Sequence, residues 1–243
     1  FQSDLERLNP NLIIVVAFRM LPKKVWDFPE LGTFNLHASL LPQYRGAAPI
    51  NWAIINGEEK TGVTTFFIDD KIDTGEIILS RELPIQENEN AGALHDKLMH
   101  LGADTVVETL ALIKAETIST QKQTTEGDLK TAYKLNNENT KIDWSKPTKE
   151  IYNLIRGLSP YPVAWTYMDN GDKELRCKVY AAQYTIEEHL ESIGYIKEEN
   201  KSLKVATNDG FILIEEIQLP GKRKMKTNEL LNGFQLKANA KML

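Results

Sequence analysis

The chain has 243 residues, 42% hydrophobic and 26% charged, a balance that excludes intrinsic disorder and allows one large domain or two ordinary ones. Its longest apolar run, residues 12–18, is strand-sized and far short of a bilayer span. A net charge of −5 excludes a general nucleic-acid coat, yet the charge is uneven: residues 1–135 hold 13 basic and 19 acidic side chains, residues 136–243 hold 16 and 15. The single cysteine, Cys177, rules out an internal disulfide and points to a reducing, cytoplasmic setting. It falls on the apolar face of an alternating strand, where a small core residue is the expected reading.

In chain order, residues 11–18 (NLIIVVAF) read as a strand buried on both faces of a parallel sheet. Arg19-Met20-Leu21-Pro22 breaks it, and residues 23–27 can form a short helix. Residues 33–37 read as the next strand and residues 46–57 as a helix with a Trp52/Ile55 face. Residues 63–68 and 76–83 then read as partnered strands. From Ala93 to Lys114 the spacing of Leu94, Leu98, Leu101, Thr105, Val106, Leu110 and Ile113 predicts one face of a long amphipathic helix.

A polar stretch without periodicity follows and reads as an interdomain linker. This gives three segments, residues 1–115, a linker over 116–137, and a second domain over 138–243. There Ser145 is the expected N-cap, with Pro147 just inside a helix whose buried face is Ile151, Leu154, Ile155 and Leu158. Gly157, Pro160 and Pro162 stop it. Strands are expected over 164–168, 174–183, 192–197, 203–207 and 211–218, with Asn208-Asp209-Gly210 as a hairpin turn, so the second domain reads as a small barrel. Trp144 and Trp165 are expected as core anchors, and His95, His100 and His189 as solvent-facing. An α/β domain ordinarily opens with strand-helix units, often around a glycine-rich turn, and none precedes the strand at 12–18. The expectation is that the first part of this domain is missing from the chain, which would leave that strand with an apolar edge.

The chemistry concentrates in Phe34-Asn35-Leu36-His37-Ala38-Ser39-Leu40-Leu41-Pro42-Gln43-Tyr44-Arg45-Gly46. Strand alternation puts Asn35 and His37 on one face. An amide can donate to a developing oxyanion, and an imidazole beside it can polarise the same oxygen or carry a proton. The pair therefore suits attack of an amine on a carbonyl carbon without a covalent nucleophile. It fits a hydrogen-bonded structural pair as well. A second element, Asp69-Asp70-Lys71-Ile72-Asp73-Thr74-Gly75-Glu76, lies between strands. It fails the calcium-loop pattern because Lys71 takes the place of the second ligand and Thr74 that of the glycine. An Asp aimed at His37 would favour the imidazolium form. Two basic features stay open: Arg45 is either a substrate contact or a loop clamp, and Lys222-Arg223-Lys224-Met225-Lys226 either a solvated turn or a phosphate-backbone contact.

The succession Asn35-x-His37-x-Ser39-Leu40-Leu41-Pro42, Tyr44-Arg45-Gly46, Pro49 and Asp73-Thr74-Gly75 resembles the signature of the folate-dependent formyltransferases. The resemblance implies catalytic roles for Asn35, His37 and Asp73 and folate contact through Ser39, Leu40, Leu41 and Pro42. It also implies a pterin-lining loop at Phe18, Arg19, Met20 and Leu21. The later runs Ala132-Tyr133-Lys134-Leu135, Lys141-Ile142-Asp143-Trp144, Ile155-Arg156-Gly157-Leu158-Ser159-Pro160 and Leu219-Pro220-Gly221-Lys222-Arg223-Lys224-Met225 resemble the C-terminal domain of those members that act on methionyl-tRNA. The implied fold is α/β: a Rossmann-like formyltransferase domain, incomplete at its N-terminus, followed by a small OB-like β-barrel. The implied donor is 10-formyltetrahydrofolate, with no metal, and the implied acceptor is initiator methionyl-tRNA, formylated for translation initiation. A monomer with no membrane attachment is expected. The rival within the resemblance is a two-domain relative that formylates a small amine or hydrolyses formyltetrahydrofolate. The rival outside it is a non-catalytic RNA-binding protein built on the second domain.

Overall fold

A computed structural model describes residues 2–17, 20–171, 173–199 and 201–243. The chain divides into two compact units. The first comprises Phe1–Ala53, Glu59–Gln86 and Ala93–Lys134; the second comprises Ile54–Glu58, Glu87–Gly92 and Leu135–Leu243.

The elements of the first part of the chain are α1 (Gln2–Leu8), β1 (Ile13–Val16), α2 (Lys23–Trp26), β2 (Thr33–His37), β3 (Arg45–Gly46), α3 (Pro49–Ile55), β4 (Lys60–Phe67), β5 (Ile77–Pro84), α4 (Ala91–Lys114) and β6 (Thr131–Ala132). Four strands make one sheet in the order β1-β2-β4-β5. The β1–β2 pair is parallel and the next two pairs are antiparallel, so the sheet is mixed. Within residues 11–18, read as a strand, the structure forms β1 over Ile13–Val16. β1 is an edge strand, and Ile14 and Val16 on one of its faces are exposed.

α4 covers the sheet through the stripe Leu94, Leu98, Gly102, Thr105, Thr109 and Ile113, all buried. The two threonines satisfy their hydroxyls locally, each donating to the carbonyl four residues back, and Thr109 also meets Thr65 at 2.8 Å. Gly102 lets the helix close on β2, since a Cβ there would stand 2.8 Å from the Leu36 side chain. Leu36 lies between Asn35 and His37 in the strand, so the helix packs on the opposite face from those two residues.

The polar stretch read as a linker is hydrogen-bonded to the first unit over much of its length. Gln121 pairs with Ile77, and Thr131–Ala132 form β6 in parallel with β3.

The second unit holds α5 (Thr148–Leu158), β7 (Ala164–Asp169), β8 (Glu174–Ile186), β9 (Ile196–Glu199), β10 (Ser202–Ala206), β11 (Gly210–Gln218), β12 (Met225–Lys226), α6 (Thr227–Leu231) and β13 (Lys241–Met242). Six strands run in the order β13-β7-β8-β11-β10-β9, with β12 beside β11. A bridge between Tyr195 and Lys241, with the Ile196 N–H donating to the Ala240 carbonyl, brings the two ends together and nearly closes the barrel. Its core includes Ile212, Ile214, Leu203, Val179, Met168 and Cys177. Cys177 is fully buried, and desolvation pushes its thiol up to about 12, in keeping with a core role. Trp144 and Trp165 are core residues as expected, their indole N–H groups donating to Thr166 Oγ1 and the Asn137 carbonyl.

His189, expected to face solvent, is instead half-buried against Phe211 with both ring nitrogens inaccessible, and two further local expectations fail. The strand foreseen at 192–197 starts only at Ile196, because Gly194 takes φ +83 in a turn before it. Ser145 does not cap α5: its hydroxyl donates to Asp143, and the helix begins at Thr148 after Pro147. The cap comes from far along the chain, where Asp209 Oδ1 accepts both the Thr148 N–H at 2.7 Å and its hydroxyl at 2.6 Å.

Candidate active site

β1 and β2 run parallel, with Val15 opposite Asn35, so both strands end at the same edge of the sheet. In α/β sheets that carboxyl edge is where ligands are bound. Asn35 and His37 occupy alternate positions at this end of β2, opposite Phe66 and Thr64 of β4.

The loop after β2 is held from beneath. Thr64 Oγ1, fully buried, donates to the Ser39 carbonyl at 2.7 Å and accepts the Leu41 N–H at 3.2 Å. The buried Ser39 hydroxyl donates to the Gln43 carbonyl at 2.6 Å, so it shapes the Ser39-Leu40-Leu41-Pro42 turn from within. That loop returns the chain to His37. The Tyr44 carbonyl accepts the Nε2–H of His37 at 2.8 Å. A carbonyl only accepts, so this contact commits the neutral ring's proton to Nε2 and leaves Nδ1 as the site that gains or loses one.

Nδ1 faces Asp73 Oδ2 at 3.7 Å, with both side chains largely buried. The distance is too long for a direct hydrogen bond and places the carboxylate within ion-pair reach of the ring. The same Asp73 oxygen accepts the Gly46 N–H at 2.9 Å. Gly46 is required there twice over, by φ +121 and by the Ala132 carbonyl, which a Cβ would meet at 2.4 Å. Asp73 itself has φ +54, an unusual conformation for a residue with a side chain.

Asn35 is half-buried, and its side-chain oxygen is inaccessible without a hydrogen-bond partner among the described residues. Asn35 and His37 therefore do not lock each other in place as a structural pair would. The cluster offers an amide whose oxygen has no partner among the described residues, an imidazole whose Nδ1 is open to a proton, and a carboxylate facing that nitrogen. That set can stabilise an oxyanion and pass a proton during attack of an amine on a carbonyl.

The structure brings together Asn35, His37, Asp73 and the turn at 39–42. Phe18 and Arg19 lie outside the described residues. Met20 is exposed and Leu21 half-buried, on the segment that leaves β1 at this same edge. Two participants escaped sequence reasoning. The Tyr44 contact is made by a backbone carbonyl, which no residue type announces. Gln123 lies in a polar stretch without periodicity; its side chain donates to the Asp73 and Gly75 carbonyls and accepts from Arg45. The acidic loop serves itself, with Asp69 accepting from the Lys71 N–H and the Thr74 hydroxyl. Among the described residues no group of three or more His, Cys, Asp or Glu side chains could hold a metal ion. No helix among them is long and apolar enough to cross a membrane.

Residues 1–110 match the family described as formyl transferase, and residues 134–235 match the formyl transferase C-terminal domain. The methionyl-tRNA formyltransferase of Flavobacterium johnsoniae is 58% identical over 242 residues, which is 100% of this chain and 77% of that protein. That of Flavobacterium psychrophilum is 60% identical over 234 residues, covering 96% and 74%. Among solved structures, WlaRD, a sugar 3N-formyl transferase crystallised in the presence of dTDP and 5-N-formyl-THF, aligns with a TM-score of 0.64. It is 26% identical over 90% of this chain and 77% of its own. HypX from Aquifex aeolicus, in complex with tetrahydrofolic acid, shares the fold with a TM-score of 0.69 at 22% identity, over 95% of this chain and 40% of its own.

Proposed function

Because the chain belongs to the formyl transferase family, and is similar to members of it along its whole length, we propose that it formylates initiator methionyl-tRNA. The donor is 10-formyltetrahydrofolate and the product N-formylmethionyl-tRNA. The observation that carries this reading is the Asn35 side chain, whose oxygen has no partner among the described residues, on the same strand as a His37 whose Nδ1 faces Asp73 at 3.7 Å. Identity near 60% to methionyl-tRNA formyltransferases, extending through the second unit, supports the tRNA as acceptor. The folate derivative in the WlaRD structure supports the donor.

The α-amine of methionine attacks the formyl carbon. Asn35 and His37 stabilise the oxyanion of the tetrahedral intermediate, and Asp73 holds the imidazolium in place. The bond from the formyl carbon to N10 of the folate then breaks, and the proton lost by the amine ends on N10. No covalent enzyme intermediate is needed, so positioning of the two substrates supplies much of the rate. The turn at 39–42 lines the folate side together with Met20 and Leu21, while residues 138–243 supply tRNA contacts. The protein acts as a cytoplasmic monomer in this reading.

The test is direct. Full-length protein given 10-formyltetrahydrofolate and methionyl-tRNA should yield formylated tRNA and tetrahydrofolate in equal amounts. Free formate without formylated tRNA, or transfer only to a nucleotide-linked amino sugar, would overturn the proposal.

A further inference from the structure

The polar stretch after α4 contributes one side chain whose amide is fully used. Gln123 Nε2 donates to the Asp73 carbonyl at 3.0 Å and to the Gly75 carbonyl at 2.8 Å. Its Oε1 accepts from Arg45, from Nε at 3.0 Å and Nη2 at 2.6 Å. Both N–H donors and the acceptor oxygen are thereby satisfied. The segment is fixed on either side of this residue, by the Ile77–Gln121 backbone pair before it and by the β3–β6 pairing after it.

These contacts converge on one problem, which is holding Asp73 in its left-handed conformation. While the Asp73 and Gly75 carbonyls accept from Gln123, the Asp73 carboxylate accepts the Gly46 N–H and lies 3.7 Å from His37 Nδ1. The Arg45 contact adds the second side of the brace, because Arg45 is the neighbour of Gly46. One amide thus sets the distance between the carboxylate and the two groups it serves.

We propose that Gln123 is a positioning residue for the reaction, acting through Asp73; this rests on the formyl-transfer reading of the Asn35, His37 and Asp73 cluster. The informative variant in the full-length protein is Gln123→Glu. It keeps length and shape and can still accept from Arg45, but it turns a carboxylate oxygen toward two carbonyl oxygens. Expected is a loss in kcat of about 10- to 100-fold, the scale of a misplaced catalytic group, with KM for the formyl donor within about twofold. In an Asp73→Asn background the same change should cost less than about threefold, since residues that act as a unit are not additive. The ring-nitrogen NMR signals of His37 should shift in Gln123→Glu in the direction they shift in Asp73→Asn.

A Gln123→Glu enzyme with wild-type kcat would overturn the proposal. So would a loss that multiplies in full on top of Asp73→Asn, or a lowered unfolding midpoint with unchanged His37 signals, which marks a purely structural brace. The kinetic cycle is read on whichever formyl transfer the wild type performs from 10-formyltetrahydrofolate. A wrong acceptor therefore sinks the tRNA reading and leaves the Gln123 test standing.

Discussion

A buried acceptor without a partner costs a folded protein about 1–3 kcal/mol, and among the described residues Asn35 carries one at the end of its strand. Removing the side chain removes that unpaired oxygen together with the Nδ2 donor that would serve the oxyanion, so it should spare the fold and damage the reaction. Asn35→Ala is expected to leave the urea unfolding midpoint close to wild type while kcat for tRNA formylation falls about 10²–10³-fold, the usual worth of an oxyanion donor. A structural Asn would give the reverse pattern in the same two measurements. Gly75 makes a complementary case, because a Cβ there would stand 1.6 Å from the Phe67 carbonyl oxygen. Gly75→Ala must displace the turn that presents Asp73, so turnover should fall at least tenfold with far-UV circular dichroism retained. Asn35, His37 and Asp73 could be singled out as candidates because side-chain type at fixed spacing is visible in a sequence. The Tyr44 carbonyl could not, and Gln123 was hidden because its partners are backbone carbonyls some 50 residues away.

Elements announced by periodicity came through, and those fixed by distant contacts did not. α4 was readable from its apolar stripe, although Thr109 and Gly102 on the buried face carry no hydrophobic signal. The start of α5 was misplaced because its capping oxygen belongs to Asp209 in the hairpin before β11, about 60 residues downstream. Sequence shows a turn at Asn208-Asp209-Gly210 and cannot show what the turn grips. The consequence is measurable. Hydrogen bonds from the Thr148 hydroxyl and backbone N–H hold the Asp209 carboxyl below its ordinary 3.8. A group depressed on folding stabilises above its unfolded value and loses that contribution as pH falls through the folded one. Asp209→Ala should therefore destabilise the second unit at pH 7 by about 0.5–2 kcal/mol, the range for removal of a helix cap. The gap to wild type should shrink below about pH 4 as the carboxylate protonates. Urea titrations followed by the tryptophans of the barrel, at pH 7 and at pH 3, would show it; a gap that persists unchanged at pH 3 contradicts the cap assignment.

At the scale of the whole molecule the uneven charge becomes an argument about the acceptor. Acidic residues dominate the first 135 positions, whereas the remainder is nearly balanced and contains the run Lys222–Lys226. Two of its cations are engaged within the fold, Arg223 with Glu229 at 3.0 Å and Lys224 with Glu216 at 2.8 Å. Lys222 and Lys226 are exposed on either side of them. The outer pair can meet a phosphate without disturbing either of these ion pairs. Each cation withdrawn from a nucleic-acid phosphate takes close to one unit from the slope of log affinity against log salt. The double change Lys222→Ser, Lys226→Ser should therefore weaken tRNA binding several-fold at low salt and flatten that slope by about one to two. The KM for 10-formyltetrahydrofolate should stay as it was, since both lysines lie outside the unit that carries Asn35, His37 and Asp73. Filter binding over a salt series resolves the alternatives: an unchanged slope makes the run a solvated turn, and tRNA recognition must then be sought elsewhere on the chain.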